Sequence, residues 1–257
     1  MKTYDILIAG EINPDLILSG NVVPEFGQVE KLVDDATLAI GSSSAIFACG
    51  AARLGLSVAF IGVRGDDVFG RFMLDEMQKR NVDVSNVIVR VDGQTGLSVI
   101  LSQPFDYAQG DRAILTYSGL IPTLQASDIT DALLRQARHL HVAAYFLQTK
   151  LQPDLPNLFR RAHSLGLTTS LDTNYDPSEQ WVGFDELLSA TDIFLPNKTE
   201  ALSKIDLEKS ILERDNNSYE EKINKYDEQK YNVRSNKEYD EIVKTIESLF
   251  EEVKKNE

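Results

Sequence analysis

Cysteine and histidine are scarce: one cysteine, Cys49, and three histidines occur in 257 residues. A lone cysteine excludes an intramolecular disulfide framework and suits a reducing cytoplasm, the expected location. So few soft ligands argue against a His/Cys metal site. No apolar run reaches the ~20 residues of a membrane span. The most apolar stretch, residues 45–63, is broken by Arg53 and three glycines. No small-residue cleavage site follows the short N-terminal apolar run, so no signal peptide is expected. Bases are in deficit, 26 Lys and Arg against 40 Asp and Glu, for a net charge of −14. Such a surface repels phosphate backbones and anionic lipid, so neither nucleic acid nor a membrane is an expected partner.

Another deficit is local. All 15 glycines and all 8 prolines lie before residue 202. In residues 203–257, 26 of 55 residues are charged, against 40 of 202 before them. A fold built on glycine turns does not continue in that style. The composition predicts a first part, 1–202, and a charged, mainly helical tail, 203–257. Ser218-Tyr219-Glu220-Glu221 and Ser235-Asn236-Lys237-Glu238 have capping-box spacing. Lys230–Arg234 reads as a short strand between them. Ile242, Ile246, Leu249, Phe250 and Val253 form one stripe at helical spacing, which needs a surface to cover.

Ahead of residue 202, β-rich runs alternate with helical patterns. The runs are Asp5–Ala9, Ser57–Gly62, Leu97–Ser102, Arg112–Tyr117, Leu140–Ala144, Thr168–Asp172 and Asp192–Leu195. Helical spacing covers Ser44–Leu54, Val68–Arg80, Ile129–Ala137 and Leu155–Leu165. Strand–helix alternation predicts an α/β fold with a doubly wound, mostly parallel sheet. Residues 87–118 carry strands without helices, with Gly93 and Gly110 as turns. They predict a small antiparallel flap.

Three motifs bear on chemistry. The first strand runs into Gly10-Glu11-Ile12-Asn13-Pro14-Asp15, and open α/β sheets bind ligands at such strand ends. Asp15 there can accept hydrogen bonds from two hydroxyls, or merely cap a loop. Gly41-Ser42-Ser43-Ser44-Ala45-Ile46-Phe47-Ala48 leads into a helix. It offers open backbone N–H groups to a ligand oxygen, or simply a serine N-cap. Gly62-Val63-Arg64-Gly65-Asp66-Asp67-Val68-Phe69-Gly70 closes the second strand–helix unit and is a weak turn signal alone.

In this order and spacing the three motifs resemble the ribokinase-like (PfkB) family of carbohydrate kinases. The resemblance continues through Thr95-Gly96, Asp172-Thr173-Asn174 and Trp181, and ends at Asn197-Lys198-Thr199-Glu200, an Asn-x-x-Glu motif. It covers about residues 4–202, with lid strands within about 11–40 and 87–118. It implies ATP-dependent phosphoryl transfer to a sugar hydroxyl, with Mg²⁺. Asp15, with Asn13, would hold sugar hydroxyls. Gly41, Ser42 and Ser43 would line the sugar pocket by backbone and hydroxyl contacts. Tyr145, in Tyr145-Phe146 at a strand's carboxyl end, would join them. Asn197, Glu200, Asp172 and Asn174 would sit near phosphates and Mg²⁺, with Glu200 reaching the metal through water. Ile46 stands where many members carry Asn, which removes one polar sugar contact. The resemblance also points to a homodimer paired through the lid.

Phosphoryl transfer needs charge stabilisation and a base. The family supplies both from a later Gly-Ala-Gly-Asp motif, which this sequence lacks, so the ATP site is expected to be incomplete. Asp215, in a polar turn before a capped helix, is a poor substitute without a glycine nest. Arg214 and Arg234 read as solvated charges. His139 and His141 are expected to face out of a strand or satisfy backbone groups, His163 to lie on a polar helix face, and Cys49 to be a core residue. Two readings follow. The chain is either a sugar kinase, impaired by the missing motif, or a non-catalytic sugar-binding or interaction protein.

Overall fold

The computed structural model describes residues 2–103, 112–181, 185–230 and 236–256. Two compact units divide the chain, Met1–Asn197 and Lys198–Glu257. In chain order the elements are β1 (Tyr4–Ala9), β2 (Pro14–Ser19), β3 (Asp35–Ile40), α1 (Ser43–Arg53), β4 (Val58–Ile61), β5 (Val63–Gly65), α2 (Val68–Gln78), β6 (Val82–Asp83), β7 (Ile88–Arg90), β8 (Leu97–Ser102), β9 (Arg112–Tyr117), α3 (Asp131–Leu134), β10 (Ala137–Val142), α4 (Leu155–Ser164), β11 (Thr168–Leu171), α5 (Asp185–Leu188), β12 (Ile193–Phe194), α6 (Lys198–Gln229) and α7 (Asn236–Asn256).

The main sheet has six parallel strands in the order β12-β11-β10-β1-β4-β6. Strands covered on both faces read as continuous apolar runs. Thus β4, Val-Ala-Phe-Ile, is buried throughout. The α1 helix turns its buried Ala45, Ala48 and Ala51 inward, and α2 its Met73 and Met77, into one cluster with Ile8 and Phe60. The small alanines let α1 approach the sheet closely. The α4 helix buries Leu155, Leu158, Phe159 and Ala162.

The flap is a separate four-stranded sheet in the order β3-β2-β8-β9. Its outer pairs are antiparallel, as expected, but its central pair, β2 with β8, is parallel. The crossover between them contains α1, β4 and α2, so no hairpin constrains their direction. Residues 87–118 also do not form one flap. β7 pairs with β5 in a two-stranded sheet of its own. The helix expected over 129–137 is only α3, because Ala137 already starts β10.

In the second unit α6 and α7 bury Ile223 and Ile246, and Asn256 Nδ2 donates to Asn216 Oδ1 at 2.9 Å. Ser218 lies inside α6, not at a helix start, and Arg214 and Asp215 are mid-helix, not in a turn. With neither Gly nor Pro, nothing in the sequence interrupts the helix there. Lys230, expected to open a strand, is a turn residue after α6; the rest of that strand and Ser235 fall on 231–235, and the Gly110 turn on 104–111, outside the described residues. Among the described residues no helix is long and apolar enough to cross a membrane.

Candidate active site

The segment that leaves β1 makes the first part of the site. Glu11 and Asn13 are buried, and Asp15 is half-buried. Asp15 does not stand at the end of β1. It lies in flap strand β2, opposite Ala39 of β3 and Ser98 of β8. Asn13 Nδ2 donates to Ser98 Oγ at 3.1 Å, and Ser98 Oγ meets Thr116 Oγ1 at 3.0 Å. The motif therefore joins the main sheet to the flap.

Gly41 follows β3 and lies against Asp15. A methyl there would run into the Asp15 carboxylate and stand 2.8 Å from the Asn13 carbonyl. Ser42 takes a positive φ of 63° and caps α1, its Oγ accepting from Ala45 N at 2.9 Å. The same hydroxyl donates to the Glu11 carbonyl at 2.7 Å. Ser43 Oγ donates to Glu11 Oε1 and accepts from Asn174 Nδ2, both at 2.9 Å. A hydroxyl has one proton to give. Both serine protons are committed inside the protein, so the two hydroxyls are left to a ligand only as acceptors. Ile46, one turn into α1, is exposed.

The end of β11 supplies the third part. Asp172 N donates to the Val142 carbonyl at 2.9 Å, and Asp172 Oδ1 accepts from Asn174 N at 3.1 Å. Asn174 has a φ of 55°, a left-handed conformation that Asn tolerates. Burial raises the carboxyl pKa of both Asp15 and Asp172, and the charge of Glu11 adds to each rise. Arg112 opposes the rise at Asp15, and the Asn174 hydrogen bond opposes it at Asp172. Three carboxylates thus share one strand-end site.

Tyr145 is buried just past β10, after Ala144 in the left-handed region. It meets Phe146 edge-on, Phe146 meets Trp181, and Trp181 meets Tyr175. Asn197 closes the first unit. Glu200 is buried in the first turn of α6, in the second unit. Sequence reasoning missed Glu11, although the quoted motif contains it. Its signal was the run of three serines at a helix start, whose donors need an acceptor.

His139 and His141 do not face out or bond to backbone. His139 Nε2 and His141 Nδ1 share Ser170 Oγ on β11. His163 pairs with Asp192 Oδ2 at 3.0 Å, and Cys49 is only partly buried, beside the core.

A parallel α/β sheet with carboxylates and amides gathered at its strand ends under a flap defines a small-polar-ligand site of the open-sheet class. The sequence matches the model of the pfkB family carbohydrate kinases over residues 5–230, so the match runs past the composition change to the end of α6. A ribokinase of Staphylococcus aureus is 27% identical over 222 residues, 84% of this chain and 69% of that protein. A 2-dehydro-3-deoxygluconokinase of Bacillus subtilis is 28% identical over 158 residues, 60% of this chain and 48% of that one. Among solved structures, Arabidopsis thaliana ribokinase complexed with ribose and ATP superposes with a TM-score of 0.64 at 19% identity, over 78% of this chain and 62% of that one. Giardia lamblia ribokinase gives 0.63 at 23%, over 78% and 60%. At these identities the structural likenesses bear on the fold. The chain spans about three fifths to two thirds of most of these proteins. It belongs to the pfkB family of carbohydrate kinases.

Proposed function

We propose that the first unit binds a sugar by its hydroxyls between Asp15, Asn13, the Gly41 backbone and Tyr145, with Asp172 and Asn174 at the phosphate end. The observation that carries this reading is the Asn174–Ser43 hydrogen bond. It joins the end of β11 to the start of α1, beside the Asp15 carboxylate that Gly41 makes room for. The reaction is ATP-dependent transfer of a phosphoryl group to a sugar hydroxyl. The bond between the γ-phosphorus and the bridging oxygen of ATP breaks, ADP leaves with that oxygen, a P–O bond to the sugar oxygen forms, and the hydroxyl proton is released to solvent.

Mg²⁺ supplies charge neutralisation at the phosphates when bound. Among the described residues no group of three His, Cys, Asp or Glu forms a metal cage. Mg²⁺ keeps its waters and takes one or two carboxylates, so Glu200, acting through water, is a donor of suitable chemistry. The sequence holds no Gly-Ala-Gly-Asp and no glycine after Gly183. A second reading is a sugar-binding protein without turnover.

The partners on the first reading are a small-molecule sugar and a second copy. The copies pair through the flap, whose edge strand β9 is exposed throughout and carries Ile114, Leu115 and Tyr117 outward. Calorimetric titration with Mg-ATP in the absence of sugar tests the kinase reading. Binding on the order of −8 kcal/mol, a micromolar Kd, supports it. No heat at millimolar nucleotide overturns it and leaves the sugar-binding reading, which a panel of neutral and acidic sugars then tests.

A further inference from the structure

Glu11 is only 3% exposed, and among the described residues no Lys or Arg pairs with it. A carboxylate out of water needs donors, or its burial is costly. Glu11 finds three in the first turn of α1: Ser43 Oγ at 2.9 Å, Ser44 N at 3.2 Å and Ser44 Oγ. The helix N-terminus favours negative charge at that place. Gly10 keeps the space open, since a methyl on it would strike the Ser44 side chain.

Capping alone does not account for this arrangement, because Ser42 already caps α1 through Ala45 N. What Glu11 adds is direction. By taking the Ser43 proton it turns that oxygen's lone pairs outward, and one of them receives Asn174 Nδ2 at 2.9 Å. A chain of donors runs Asn174 to Ser43 to Glu11, linking the loop after β11 to the segment after β1.

We propose that Glu11 is the positioning residue of the strand-end site: through the Ser43 hydroxyl it holds the Asn174 amide, and with it the Asp172 loop, against the start of α1. The role of that site in sugar binding rests on the reading given under Proposed function. The hydrogen-bond relay itself does not, so its test uses no sugar.

The test is NMR on the ligand-free full chain, reading exchange of the Asn174 side-chain amide protons, exchange of the Ser44 backbone amide, and the titration of the Asp15 carboxyl. Glu11 and Arg112 are the charged groups that act on Asp15. In Glu11→Ala the Asn174 protons exchange about tenfold faster, an equilibrium change of ~1.4 kcal/mol, and the Asp15 midpoint falls. In Glu11→Gln the amide remakes the bonds, so exchange stays near wild type while the Asp15 midpoint falls. Ser43→Ala speeds Asn174 exchange as Glu11→Ala does, and the double variant is no faster than either single one, because one relay is cut twice. Should Glu11→Ala fail to fold, Glu11→Asp keeps the charge but withdraws the oxygens by one methylene. It then speeds Asn174 exchange and leaves the Asp15 midpoint in place. Faster exchange at Ser44 alone, with Asn174 unmoved, overturns the proposal and makes Glu11 a second cap. Additive effects of Glu11→Ala and Ser43→Ala overturn it as well. Failure of every sugar to bind the wild-type chain overturns the functional reading and leaves these exchange results standing.

Discussion

Phe47 lies flat on His141, with ring centroids 3.9 Å apart and planes inclined by 23°. The stack couples α1 to β10 behind the strand-end site. His141 is buried, its Nδ1 is 2.7 Å from Ser170 Oγ, and its Nε2 has no hydrogen-bond partner. Burial, with the nearby His139, pushes its pKa down to about 3. The folded state therefore keeps His141 neutral where the unfolded chain, near 6.5, takes up a proton. Stability rises with pH across the window from about 3 to 6.5 and is lost as pH falls through it. Between pH 7 and pH 4 the loss from this group is on the order of 3 kcal/mol. Urea denaturation at the two pH values measures it. His141→Phe keeps the stack and removes this group's share of the slope, leaving that of His139, whose pKa burial also lowers; an unchanged slope places the acid sensitivity elsewhere.

Asp15→Asn is expected to stabilise the chain while weakening the site. The wild-type carboxyl has a raised pKa, first from burial and then from Glu11. Above the ordinary carboxylate range its ionisation therefore works against the fold, and the amide lacks that charge. Differential scanning calorimetry at pH 7 should show a higher Tm. Sugar affinity should fall about 10- to 100-fold, the worth of a hydrogen bond to a charged group. A lower Tm with unchanged affinity would remove Asp15 from the site.

Gly41→Ala forces the issue sterically. The added methyl meets the Asp15 carboxylate and the Asn13 carbonyl together. Overpacking of this kind costs about 1–3 kcal/mol. The site should lose sugar affinity along with that stability, whereas Gly50→Ala, with open space at its Cβ, should leave affinity unaltered.

Asp67 ties the base of the flap. Its Oδ1 accepts from Gly70 N at 2.8 Å and its Oδ2 from Thr95 N at 2.7 Å. Burial pushes its pKa up, but the hydrogen bonds from Gly70, Thr95 and Phe69 together outweigh it, and the net shift is downward. The stabilisation is thus present above the ordinary carboxylate range and lost as pH falls below it. Asp67→Ala should cost about 1–3 kcal/mol at pH 7. The gap between variant and wild type in urea denaturation should narrow toward pH 3.

The main sheet was legible because its strands obey local rules. Val58–Ile61 is an unbroken apolar run, and Tyr4–Ala9 is β-rich and ends at a glycine, so their existence follows from pattern. The flap was less legible. β2 acquires its role by pairing with β8 far along the chain, β3 by edging the sheet against β2, and β7 by leaving the flap for β5, which periodicity does not encode. The tail misled for the opposite reason. Ser218 has the right neighbours for a cap, but neither Gly nor Pro interrupts the chain there and the helix runs on through Asp215-Asn216-Asn217. In the site, Asp15, Gly41 and Asn174 stood out as motif residues. Glu11 did not, because its role depends on burial and on three donors supplied by a helix that begins far along the chain.

The parallel pairing of β2 with β8 has a kinetic side. It sets Asp15 beside Ser98, so the flap cannot close its central ladder until the chain between them has folded. Loop closure over that span is entropically costly, and such non-local pairings form late. The flap is therefore not a module that folds first and is carried by the core. In refolding followed by pulsed hydrogen exchange, amides of β1 and β4 should gain protection before those of β2 and β8. A strand exchange between copies would have to wait for the same late step.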